Sequence, residues 1–145
     1  MAEEKRYVDV NIFVYWLANH PKFGETACKW IKNIESSPPG EYVTSSLSLY
    51  ETLVIIAGLT GKNLKDKTFT EEVIKAITQI KGLIIEPLKP EDFTTALDLM
   101  NDYRLDYEDS IHLAVAIRMG AQEIVSNDKD FESTPIKRTI QPKLI

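Results

Sequence analysis

Four short β-rich runs, Arg6 to Val10, Tyr42 to Thr44, Leu83 to Leu88 and Glu123 to Ser126, alternate with helical patterns along the chain. This alternation constrains the fold more than any other feature, because parallel strands need crossovers of a dozen or more residues and helices supply them. Apolar residues recur at three- and four-residue spacing in NIFVYWLA through Ile12, Tyr15 and Trp16, and in ETACKWIKNIE through Ala27, Trp30, Ile31 and Ile34. The pattern predicts a three-layer α/β/α sandwich with a mostly parallel central sheet and right-handed crossovers, formed by residues 1–145 as one domain.

Local signals set the expected boundaries. Ser45 and Ser46 stand where they can cap the apolar helix LSLYETLVIIAGL, which Gly58 and Gly61 end. A helix is expected from Thr70 to Ile80, and LIIEPL reads as a buried strand. Pro90, Glu91 and Asp92 open the next helix, Asp106 can cap YEDSIHLAVAIRM, and Glu123 to Ser126 reads as the final strand.

A chain of 145 residues with 43% hydrophobic and 27% charged residues can bury a substantial core. Its longest wholly apolar stretch is far below the ~20 residues of a membrane helix. The acidic start MAEEKRYVDV lacks the basic and apolar regions of a signal peptide, and Cys28 is the single cysteine, so cytoplasmic residence is expected. A net charge of −5 excludes a general basic footprint, so any nucleic-acid contact must be local. Asp98 to Asp109 holds five acids and one Arg, whereas Lys137, Arg138 and Lys143 follow the last acid, Glu132.

In open parallel sheets ligands bind beyond the carboxyl ends of the strands. Asp9 follows the first strand, Asp128 follows the Glu123 to Ser126 strand, and Asp109 lies one turn into a helix. Taken singly these acids read as an N-cap, a turn former and a partner of the helix dipole. Glu51 has no capping role. It lies two turns into an apolar helix, either at a solvated stripe edge or facing a partner or metal. Four carboxylates brought together would suit Mg²⁺ or Mn²⁺, which take oxygen ligands and share them with phosphate. His112 reads as a packed or hydrogen-bonded residue, and Cys28 and His20 have no nucleophile-and-base spacing.

The order of these residues resembles PIN-domain nucleases of the VapC toxin type. YVDVNIF is similar to the family's opening strand and first Asp, TSSLSLYETL to the segment carrying its Glu, and DSIHLAVAIRMGAQEIVSNDKDF to its C-terminal signature. The resemblance implies a metal-binding set of Asp9, Glu51, Asp109 and Asp128 with Asn11, Ser126 and Asp130 in support. The small-residue helix after Asp109 sets the register against Asp106. It further implies Mg²⁺- or Mn²⁺-dependent endonucleolytic hydrolysis of RNA, a homodimer, and a small antitoxin that presents an Arg to the acids.

RNA-processing or RNA-binding PIN proteins that are not toxins share the same acids and remain the alternative. A haloacid-dehalogenase-like phosphatase would need an Asp where Asn11 stands, and a receiver-like domain would have only Glu86 at its phosphoacceptor position. Lys62, Lys65 and Lys67 read first as a solvated loop and second as a contact to an RNA backbone. Leu53, Val54 and Ile56 are expected in the core, whereas the aromatic Phe13, Trp16 and Trp30 are candidates for an interface.

Overall fold

The β-rich runs form strands and the three-to-four patterns form helices over residues 4–142, the part of the chain that the computed structural model describes. In order these are β1 (Arg6–Val8), α1 (Val10–Leu17), α2 (Gly24–Glu35), β2 (Tyr42–Ser45), α3 (Ser46–Thr60) and α4 (Lys67–Thr78). They are followed by β3 (Leu83–Glu86), α5 (Pro90–Tyr103), α6 (Tyr107–Arg118), β4 (Glu123–Val125), a 3₁₀ turn (Lys129–Ser133) and β5 (Lys137–Thr139). All strand pairs are parallel, in the order β3-β2-β1-β4-β5.

Strand alternation divides the core between two faces. Tyr7 and Ile124 pack with Leu99, Leu113 and Ala116 of α5 and α6. Their neighbours Val8 and Val125 pack on the opposite face with Phe13, Trp30 and Ile34 of α1 and α2. A smaller cluster, Val10, Val14, Leu53, Ile56 and Val73, joins α1 to α3 and α4. Arg118 forks onto the buried Asp92, with both bonds at 2.8 Å, and reaches Glu86 at 2.7 Å, which ties β3 and α5 to the end of α6.

Several expectations are corrected. Glu123 to Val125 is not the last strand, because β5 pairs beside it with Val125 opposite Thr139. Lys-Arg-Thr has no apolar pattern, and only the unpaired edge of β4 recruits it. LIIEPL is the other edge of the sheet and is only half-buried, with Ile84 38% exposed. α4 starts a turn early, because Asp66 accepts the Phe69 N–H at 3.1 Å and caps it. Gly58 lies inside α3, and Gly61, at φ +68°, ends the helix. Ser45 makes no side-chain cap bond and instead accepts from the Tyr7 hydroxyl. Phe13 and Trp30 are buried and Trp16 packs against their cluster, whereas Val54, expected inside, is exposed. Lys143 lies outside the described residues.

Two glycines give opposite expectations. Gly82 has φ +90°, and a Cβ there would meet the Ile34 carbonyl oxygen at 2.6 Å, so Gly82→Ala should lower the melting temperature by roughly 5 °C or more. Gly58 sits mid-helix with open space around it, so Gly58→Ala should stabilise by about 0.5–1 kcal/mol. Thermal melts of the two variants check the pair.

Candidate functional site

The parallel register of β1 and β4 builds the first part of the site. Asp9 donates its backbone N–H to Val125 O at 3.0 Å, which extends the pairing by one residue and seats Ser126 beside it. The Asp9 side chain is the N-cap of α1: one carboxylate oxygen accepts the Val10 N–H at 2.8 Å. Its other oxygen accepts from Ser126 Oγ at 2.6 Å and from Asn11 Nδ2 at 3.3 Å. Ser126 Oγ also accepts from Asn11 Nδ2 at 3.2 Å and from the Asp128 N–H at 2.9 Å, so this hydroxyl uses its full bonding capacity. Asn11, Ser126 and Asp9 therefore form one buried network.

Helices bring in the other acids. Asp106 caps α6 by accepting the Asp109 N–H at 2.8 Å, and remains exposed. Asp109, one turn in, lines a cavity of about 190 Å³ together with Asp9, Asn11, Glu51 and His112. Beyond β4, Asp128 caps the 3₁₀ turn by accepting the Asp130 N–H at 2.9 Å. Carboxylate oxygens of Asp109, Asp128 and Asp130 lie within 4.8 Å of one another. Asp109 thus belongs to both groups, and an ion among Asp109, Asp128 and Asp130 would meet oxygen donors only.

His112 is the one basic side chain in this cavity. It is 2% exposed, and its Nδ1 lies 2.7 Å from the Tyr7 hydroxyl while its Nε2 lies 2.5 Å from Glu51 Oε1. Burial opposes charging of the ring, but the Tyr7 oxygen, Glu51 and Asp9 outweigh it and hold the imidazole well above its ordinary range. Burial also raises Glu51, yet its bonds to His112 and Glu108 bring its carboxyl below the usual value. Glu108 is pushed up to about 7, first by its hydrogen bond to Glu51 and then by that group's charge. Glu51 is therefore held toward its ionised form and His112 toward its charged form, while Glu108 is held toward its protonated form.

Asp9 is raised by burial, against the favourable charge of His112 and its bonds to Ser126 and Val10. Asp109 is raised to about 8, first by burial and then by the charges of Asp106, Asp128 and Asp9. Tyr7 and Glu108 are not among the residues that the sequence singles out for the site. Tyr7 lies two residues before Asp9, and so on the same face of an extended strand, and Glu108 lies four before His112, on one helix face.

The Asp109 shift fixes a sign. Between about pH 4 and pH 8 the folded chain retains a proton there that the unfolded chain has released, so this group's stabilising contribution falls as pH rises. Without metal, Asp109→Asn should be near neutral at about pH 4 and should raise the melting temperature by several degrees above about pH 8. A shift of equal size at both ends would show that the carboxyl is not perturbed by its neighbours.

Comparison with known proteins places this geometry. The sequence profile of the PIN domain matches residues 6–137. No curated protein matches the chain. VapC20 of Mycobacterium tuberculosis, described as a sarcin-ricin loop cleaving toxin, is 16% identical with a TM-score of 0.66, over 89% of this chain and 94% of that one. A toxin-antitoxin complex from Klebsiella pneumoniae contains a chain 20% identical, with a TM-score of 0.68 over 93% of this chain and 97% of that one. PAE2754 from Pyrobaculum aerophilum is 18% identical, with a TM-score of 0.61 over 94% of this chain and 90% of that one. At these identities the likeness is one of fold. With a parallel five-stranded sheet, acids gathered at its carboxyl edge and a family match over nearly its whole length, the chain belongs to the PIN domain family.

Proposed function

We propose that this protein is a divalent-metal-dependent endoribonuclease that hydrolyses phosphodiester bonds of RNA in the cytoplasm, as the toxin of a toxin–antitoxin pair. The observation that carries the reading is that Asp9, Glu51 and Asp109 line one cavity beside His112, while Asp109 also lies with Asp128 and Asp130 in a cluster whose carboxylate oxygens are within 4.8 Å of one another. Family membership supports the nuclease class, and the descriptions of VapC20 and the Klebsiella complex support the toxin role.

The residues fit Mg²⁺ or Mn²⁺. All the donors are carboxylate oxygens, and the Asp109 carboxyl is pushed up to about 8 first by burial and then by the neighbouring acids Asp106, Asp128 and Asp9. In this reading Asp9, Glu51, Asp109 and Asp128 hold the ion and Asn11, Ser126 and Asp130 support them. The bound ion supplies a lowered water pKa and charge stabilisation at the scissile phosphate. The chain's own groups do the positioning: Ser126 and Asn11 orient one oxygen of Asp9, and His112, braced by Tyr7, orients Glu51. This acidic edge repels phosphate unless a cation neutralises it, so the same residues make RNA binding depend on metal.

Saturating Mn²⁺ should raise the melting temperature by roughly 5–10 °C, and Asp9→Asn should abolish that rise. Asp9→Asn, Glu51→Gln, Asp109→Asn and Asp128→Asn should each reduce metal-dependent cleavage of single-stranded RNA by about 100-fold or more, because displacing the ion misaligns the phosphate. Cleavage that survives a chelator would overturn the mechanism.

Helix α3 exposes Tyr50, Val54, Ile55 and Leu59 around Glu51, an apolar surface that supports a homodimer and an antitoxin contact. An antitoxin Arg would satisfy these carboxylates in place of the ion. Binding of a small antitoxin encoded beside this gene should therefore weaken as Mn²⁺ is titrated in. Equal binding to wild type and to Asp9→Asn with Asp109→Asn, unaffected by Mn²⁺, would show that inhibition bypasses the acids.

A further inference from the structure

The loop from Ser126 to Glu132 carries both Asp128 and Asp130, and its two ends are held by one side chain from the neighbouring strand. Arg138 of β5 donates from Nη1 to the Ser126 carbonyl at 3.1 Å and from Nη2 to Glu132 Oε1 at 2.6 Å. Its side chain is 14% exposed, and Nε is buried without a partner among the described residues. Three further contacts set the loop: Ser126 donates its N–H to Thr139 O at 2.9 Å, Asp128 N–H bonds Ser126 Oγ, and Phe131 is fully buried. Ser126 is also the residue that bonds Asp9, so a shift of its backbone would move Asp9 and Asp128 relative to each other.

We propose that Arg138 is a positioning residue for the acidic centre, acting as a fork that fixes both ends of the 126–132 loop and thereby the spacing of Asp128 and Asp130 from Asp9 and Asp109. The fork is the reason for arginine here. A planar guanidinium reaches a carbonyl and a carboxylate at once from a rigid frame, whereas a lysine ammonium on a flexible stem would serve as a point charge. Removing groups that orient metal-binding carboxylates commonly weakens metal binding by about 10–100-fold. The metal part of this inference rests on the proposed function; the loop part does not.

The test uses the full chain as Arg138→Lys, Arg138→Gln and Glu132→Ala. In metal-free protein, amide exchange at Asp128, Asp130 and Phe131 should accelerate at least about tenfold in all three variants, while amides of α6 and β1 stay within about twofold of wild type. The Mn²⁺ concentration at half the thermal shift should rise by about tenfold or more, least in Arg138→Lys. Exchange unchanged at Asp128 to Phe131, or accelerated equally throughout the sheet, would overturn the proposal. If Arg138→Gln does not fold, Glu132→Ala still removes one arm of the fork and decides the matter. A wild-type protein indifferent to Mn²⁺ would remove the metal reading, and the exchange data alone would then decide the role of Arg138.

Discussion

The carboxylate of Asp9 is 6% exposed at the end of the central strand, and a buried charge of this kind persists only if its lone pairs are bonded. The Val10 N–H, the Ser126 hydroxyl and the Asn11 amide supply those bonds, two from the first turn of α1 and one from across the sheet. Val10 belongs to the helix that Asp9 itself caps, Ser126 arrives through the parallel register of β1 and β4, and Asn11 bridges the two. A slip of one residue in that register would turn Ser126 to the other face and leave Asp9 uncompensated. The sheet order and the acidic centre are therefore one constraint.

Charge is distributed around that centre so that the fold tolerates it. The Glu51 carboxylate is favoured by its bond to His112, whose ring is held well above its ordinary range, while the Glu108 carboxyl is pushed up to about 7 and that of Asp109 to about 8. The isolated site thus relieves part of its charge repulsion by favouring protonated Glu108 and Asp109 and a charged His112, where the proposed function places a divalent ion. A site that binds metal and substrate carries such repulsion as part of its design, and linkage returns it as stability when a ligand arrives.

The helices show a similar division of labour. α1 and α2 place their aromatic residues into the core or against it, and among the described residues α3 exposes more large apolar side chains than any other helix. That helix also carries Glu51, so an exposed apolar face and a site carboxylate share one rigid rod. No helix among the described residues is long and apolar enough to cross a membrane.

Much of this was legible in the residues alone. Strands and helices follow from local periodicity, and Asp9, Asp106 and Asp66 cap helices through bonds to amides one to three residues away, which depend on near neighbours only. Asp9, Asp109 and Asp128 could be selected because their positions at strand ends and helix starts are local properties. What a side chain meets across the sheet is not local. The pairing of His112 with Glu51 spans 61 residues, that of Tyr7 with His112 spans 105, and Arg138 reaches back to Ser126 across a strand with no sequence pattern. The sequence by itself determined the alternation of elements, their caps and the acids that could form a site. The tertiary structure alone decided which acid is paired, which retains a proton and which edge recruits β5, because burial and long-range hydrogen bonding exist only once the strands are in register.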